Sequence, residues 1–202
     1  RSGHSQWVQQ ETYQVTPGIQ VTQNVDLYGN LVQRLVAPKG QFDIETSSVI
    51  STVPKHDVGL SAPFVKIANL PDETLMYLLP SRYCESDRHN DLALEIVQGV
   101  APGYDQVAAI VTWIKNEVKY IPGSSGYPIS AIQAIERGHG VCRDLAHVGV
   151  SLCRSLCIPC RLVVGYLHEL EPMDIHAWFE AFVGDRWYTF DATQSQMKAG
   201  YV

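Results

Sequence analysis

Positive charge is scarce in this chain and never gathers. Fifteen Lys and Arg stand against 21 Asp and Glu, a net charge of −6 over 202 residues. No Lys/Arg-rich stretch offers a phosphate-binding face, which argues against nucleic acid and anionic membranes as partners. No apolar run approaches the roughly 20 residues that a membrane-crossing helix requires. The sequence shows no signal peptide, calcium-loop pattern, glycine-rich nucleotide loop, internal repeat or low-complexity tract. Cysteine is sparse and odd in number: Cys84, Cys142, Cys153, Cys157 and Cys160. An odd set, mostly crowded into one stretch, is unlike a secreted disulfide framework. A reducing interior is expected instead, and the cytoplasm is the expected location. The abrupt polar start and the ending Gly200-Tyr-Val202 suggest a fragment, so truncation is expected at both ends.

What is present suffices for a core, with 46% of residues apolar. Residues 1–60 read as a small β-rich domain. Glu11–Val15, part of Ile19–Val25, Leu31–Val36 and Phe42–Ile50 alternate or run apolar, and Asp26-Leu-Tyr-Gly29-Asn30 is a turn signal. Residues 61–85 follow as a linker. Pro54, Pro63, Pro71 and Pro80 forbid long regular elements over residues 54–85.

Residues 86–202 read as a second, α+β domain. Val107, Ile110, Val111, Ile114 and Val118 line one helix face, with Asp105 as its expected N-cap. Ser130-Ala-Ile-Gln133 is a capping box, and Gly138 can close that short helix. The next helix starts near Cys142 and ends near Leu156, before Pro159. Strands are expected at Arg161–Leu167, His176–Val183 and Trp187–Phe190, the last two joined by a Gly184-Asp185 turn. Helices first and antiparallel strands after make the domain α+β.

Cys142, His176 and Asp191 are the candidate catalytic residues. A thiol ionises near pH 8.5, and a helix N-terminus or an imidazolium lowers that value, at about 3.5 to 7.5 in such settings. His176 would hold the thiolate and protonate a leaving amine, while Asp191 would fix the imidazole's tautomer. Position 176 pairs near 193, which makes Asp191 a diagonal neighbour across the hairpin. Directly paired residues there lie about 4.5–5.5 Å apart. Taken singly, each residue has a plain reading: a small buried hydrophobe, a structural histidine, a turn former. Their order and setting favour chemistry.

Four further residues are candidates for supporting the site or lining its cleft. Asp144 suits the positive end of the helix. His147 lies about 140° around the helix from Cys142 and reads as structural. Trp178 and Trp187 are core aromatics or cleft walls. The rival use of cysteine is an iron–sulfur or zinc site at Cys153-x3-Cys157-x2-Cys160. Packing on an apolar helix and strand accounts for these thiols better, so no metal and no cofactor are expected.

Five stretches resemble the transglutaminase-like superfamily of papain-type cysteine enzymes, especially its bacterial members. They are Tyr77-Leu-Leu-Pro-Ser-Arg-Tyr-Cys-Glu-Ser-Asp87, Tyr120-Ile-Pro-Gly123, Gly140-Val-Cys-Arg-Asp-Leu-Ala-His147, Cys153–Arg161 with Gly165-Tyr166, and His176-Ala-Trp-Phe-Glu180 with Asp191-Ala-Thr193. The resemblance implies a papain-like transglutaminase core, helices packed on an antiparallel sheet, after a β-rich domain. It implies Cys142 as nucleophile, His176 as base and Asp191 as orienting acid. Two positions depart from the family's habit: Cys157 stands where glycine is common, and Ala192 where proline follows the aspartate. The expected activity is acyl transfer or hydrolysis on a peptide or protein amide, with an amine as the other possible acceptor. A catalytically idle, peptide-binding scaffold is the alternative.

Overall fold

A computed structural model describes residues 6–53, 59–168 and 170–194, which divide into two compact units near residue 55. The first unit is antiparallel. β1 (Gln6–Thr16) pairs with β4 (Asp43–Thr52), and β2 (Thr22–Val25) forms a hairpin with β3 (Leu31–Arg34). The expected turn joins β2 to β3. Asp26 Oδ1 accepts the N–H groups of Tyr28 and Asn30, each at 2.8 Å, the local bonding that favours Asp at turns.

The second unit begins with the stretch expected to be a linker, and here the expectation is corrected. Residues 61–85 hold two short 3-10 segments, Ile67–Asn69 and Asp72–Leu78, and bury Leu70, Thr74, Tyr77 and Cys84. The prolines do prevent long elements, but short turns with apolar anchors still pack. Pro54 lies outside the described residues.

Helices α1 (Asn90–Ile96) and α2 (Tyr104–Glu117) come next. Asp105 does not cap α2; Gly103 does, and Asp105 falls in the first turn. The reason is close packing. Gly103 has φ +114°, and a Cβ there would lie 2.2 Å from the Ala62 carbonyl oxygen, which accepts the Tyr104 N–H at 2.9 Å. β5 (Lys119–Tyr120) leads to α3 (Ala131–Arg137), then β6 (His139–Gly140), which pairs in parallel with β5. The capping box of α3 forms: Gln133 N–H donates to Ser130 Oγ and Ser130 N–H to Gln133 Oε1 at 3.0 Å. Gly138 closes it in the left-handed conformation.

α4 (Cys142–Ser155) is the central helix, buried from Asp144 through Cys153. It meets α1, α2 and α3 as well as the sheet of β7 (Cys160–Tyr166), β8 (Ile175–Val183) and β9 (Arg186–Phe190). Leu145, Val148 and Leu152 are almost fully buried. Each such side chain contributes about 1.5–3 kcal/mol of burial. Gly149 lets the helix lie directly on β8, where a Cβ would come within 2.3 Å of the Phe179 ring. A helix held on all sides fixes the position of its first residue, Cys142. The mixed helices and antiparallel strands make the second unit α+β, and the β-rich unit precedes it in sequence. Among the described residues no helix is long and apolar enough to cross a membrane.

Candidate active site

Cys142 is the first residue of α4 and is partly exposed. Val141 before it is extended, and the Asp144 side chain turns back to accept the Val141 N–H at 3.1 Å. Asp144 thereby caps the helix, and Arg143 binds its other oxygen at 3.2 Å. The same guanidinium reaches Ser125 Oγ at 3.3 Å and the Tyr127 carbonyl at 3.2 Å, tying the loop before α3 to the start of α4.

His176 enters on β8 opposite Gly165 of β7. The Phe179–Phe190 pairing of β8 with β9 carries Asp191 just past the end of β9, diagonally across from His176. His176 Nε2 and Asp191 Oδ2 lie 2.8 Å apart, and both residues are buried. The Cys142 thiol lies close enough to this ring for each group to shift the other's proton affinity. The three groups of the expected constellation therefore meet.

Electrostatics follows from that line. Burial alone would raise the Cys142 thiol. Hydrogen bonds from His176 and the Ala177 backbone, together with the imidazolium's charge, outweigh it and leave the thiol below its ordinary value. Burial likewise opposes charge on His176, but hydrogen bonds to Asp191 and Cys142 and their negative charges lift it to about 9. Both shifts favour a thiolate–imidazolium pair.

Thr193 was not singled out from the sequence. Its N–H and Oγ1 both donate to Asp191 Oδ1, at 2.8 and 2.7 Å, and its hydroxyl lies 3.3 Å from His176 Nε2. An Asp followed two residues on by Thr is a local Asx-turn pattern, and that signal was available. The other supporting candidates separate. His147 is a packing residue: it stacks on Tyr83 at 5.4 Å and its Nδ1 is 3.2 Å from the Ile129 carbonyl. Burial holds its pKa below the usual histidine range. Trp178 is buried beside His176, with ring centroids 6.1 Å apart. Trp187 packs elsewhere, against Tyr77 and Phe182 with the Arg161 guanidinium 4.1 Å over its ring. Cys153 and Cys160 are buried together, while Cys157 is exposed at the helix end. Among the described residues no group of three or more His, Cys, Asp or Glu is placed to hold a metal.

The family model for the transglutaminase-like superfamily matches residues 90–192, just over half of the chain, and spans all three groups. The chain belongs to the transglutaminase-like superfamily. A crystal structure of a candidate cysteine protease from Cytophaga hutchinsonii is similar over all of this chain and 71% of its own, at 36% identity and a TM-score of 0.87. The uncharacterized protein ML0607 of Mycobacterium leprae is 26% identical over 96% of this chain and 73% of its own length. The periplasmic domain of TgpA from Pseudomonas aeruginosa shares the fold at 19% identity and a TM-score of 0.54, over 89% of this chain and 62% of its own. In this transglutaminase-like chain the matched region is the one that carries Cys142, His176 and Asp191.

Proposed function

We propose that this transglutaminase-like chain is a thiol-dependent enzyme that cleaves or transfers the acyl group of a peptide or protein amide. Cys142 is the nucleophile, His176 the general base and acid, and Asp191 the orienting carboxylate. One observation carries the reading: the buried 2.8 Å pair of His176 with Asp191, held in place by Thr193, with a Cys142 thiol whose pKa the imidazole lowers.

The Cys142 thiolate adds to the amide carbonyl carbon, and the carbonyl electron pair moves to oxygen. The backbone N–H of Cys142, at the start of α4, is the donor we assign to that oxyanion. Collapse re-forms the carbonyl and breaks the C–N bond. The leaving nitrogen takes the proton from the His176 imidazolium, and a Cys142 thioester and neutral His176 remain. Water or an amine then adds to the thioester while His176 takes its proton. Expulsion of the thiolate yields an acid or a new amide and restores the ion pair. Which product forms depends on how well the cleft admits water against amine. Five free thiols, one of them this nucleophile, suit a reducing compartment such as the cytoplasm.

The test is a panel of peptide amides assayed with and without an added amine, using wild type and Cys142→Ala. Acid or new amide formed by wild type and lost in Cys142→Ala supports the reading. Undiminished turnover by Cys142→Ala overturns it.

A further inference from the structure

We propose that Thr193 is a positioning residue of the acyl-transfer site: its hydroxyl pins the Asp191 carboxylate and keeps hydrogen on His176 Nε2, so that Nδ1 is the nitrogen that exchanges protons during the reaction. The proposal rests on the reading of Cys142, His176 and Asp191 as the reacting groups and deepens it, naming the basic nitrogen and what selects it.

Thr193 Oγ1 meets Asp191 Oδ1 at 2.7 Å, Gln194 Nε2 at 3.2 Å and His176 Nε2 at 3.3 Å. A hydroxyl has one proton to give and two lone pairs to offer. The Gln194 amide nitrogen only donates, so it takes a lone pair. The carboxylate oxygen only accepts, so it takes the proton. The second lone pair then faces His176 Nε2, which Asp191 Oδ2 also faces at 2.8 Å. A bare nitrogen there would set its own lone pair against two acceptors, so Nε2 carries hydrogen. In the neutral ring the free lone pair is therefore on Nδ1.

A carboxylate held at one oxygen alone can pivot about its Cβ–Cγ bond. Thr193 prevents this by donating to Oδ1 twice, through its backbone N–H at 2.8 Å and its hydroxyl at 2.7 Å, which leaves Oδ2 turned to the ring. The alignment matters most once the thioester has formed. His176 is then neutral, and its Nδ1 lone pair must take the proton of the attacking water. The site also isolates the hydroxyl for study. Thr193→Val swaps it for a methyl group and keeps the backbone N–H bond, while Lys115 Nζ of α2 holds the Gln194 carbonyl at 2.6 Å independently. Thr193→Ser keeps the hydroxyl and drops only the methyl group.

The test uses p-nitrophenyl acetate. The Cys142 thiolate adds to the acetyl carbonyl, p-nitrophenolate leaves, and an acetyl thioester remains. Water then adds, its proton passes to His176, and the C–S bond breaks to give acetate and the thiolate. After rapid removal of excess reagent, the decay of acetyl-Cys142 at pH 7 is followed by peptide mass spectrometry. Thr193→Val, with a circular dichroism spectrum matching wild type, is expected to hold the acetyl group about tenfold longer than wild type. Thr193→Ser should come within about twofold of wild type. In wild type alkylated at Cys142 with iodoacetamide, nitrogen NMR of His176 should place the proton of the neutral ring on Nε2. Equal acetyl lifetimes in wild type and Thr193→Val, a Thr193→Ser as slow as Thr193→Val, or a proton on Nδ1 would each overturn the proposal while leaving Cys142 as nucleophile. Failure of wild type to form acetyl-Cys142 in preference to adducts at the other thiols overturns the underlying reading and the proposal together.

Discussion

Replacing Asp191 with Asn keeps the shape of the side chain and removes its charge. In the intact protein burial disfavours the His176 cation, yet Asp191 and Cys142 together lift its pKa from 6.5 to about 9. That lift favours the imidazolium by about 3 kcal/mol, at about 1.4 kcal/mol for each pH unit. His176 is almost fully buried, so little of this is lost to solvent screening. The two partners share the pull, and losing the Asp191 charge should cost the ion pair about 2 kcal/mol, or roughly thirtyfold in thiolate population near neutrality. The assay is iodoacetamide labelling of Cys142 from pH 5 to 10, read by mass spectrometry. Wild type should label Cys142 rapidly at pH 7, well below the thiol's ordinary titration. Asp191→Asn should label about thirtyfold more slowly there and recover as the pH approaches the ordinary thiol value of about 8.5. A circular dichroism spectrum matching wild type would establish that the variant folds. An unaltered rate and pH profile in a folded Asp191→Asn would refute the reasoning, because the carboxylate would then contribute nothing to the charge state of the pair.

Three further outcomes follow from the same structure. Turnover on an amide needs the His176 imidazolium as proton donor, so kcat/KM should fall as pH rises through about 9; an undiminished rate at pH 10 would contradict that role. Cys157 occupies a left-handed backbone with φ 59° at the end of α4, and Cys157→Gly should raise stability by about 1 kcal/mol in chemical denaturation, whereas equal or lower stability would argue against strain there. Gly149→Ala drives a methyl group into the Phe179 ring and should destabilise the fold by about 1–3 kcal/mol, measured the same way; a neutral result would mean α4 and β8 part without cost.

Much of the catalytic region was legible because its signals are local or periodic. The capping box at Ser130 and Gln133, the helix start at Cys142 and the turn at Gly184 each depend on a few adjacent residues, and each formed as read. The diagonal approach of Asp191 to His176 followed from hairpin arithmetic once that turn was placed. Contacts between distant segments were not legible in this way. Nothing near Gly103 announces the Ala62 carbonyl that forces glycine at the start of α2. The proline-spaced stretch 61–85 reads as a linker until Tyr77 meets Trp187 and Arg161 from other elements. The parallel pairing of β5 with β6 was not legible either, because a two-residue contact is too short to leave a pattern. Trp178 and Trp187 show the limit for single side chains: both sit on apolar strands, yet one lies beside His176 and the other beneath Arg161.

The most direct test of the account is acid-quenched mass spectrometry of the protein during turnover of a peptide amide. Release of amine should be matched by an acyl adduct on the peptide containing Cys142, absent from Cys142→Ala. Sustained amide cleavage with no adduct at that sulfur, and with the alanine variant still active, would contradict it.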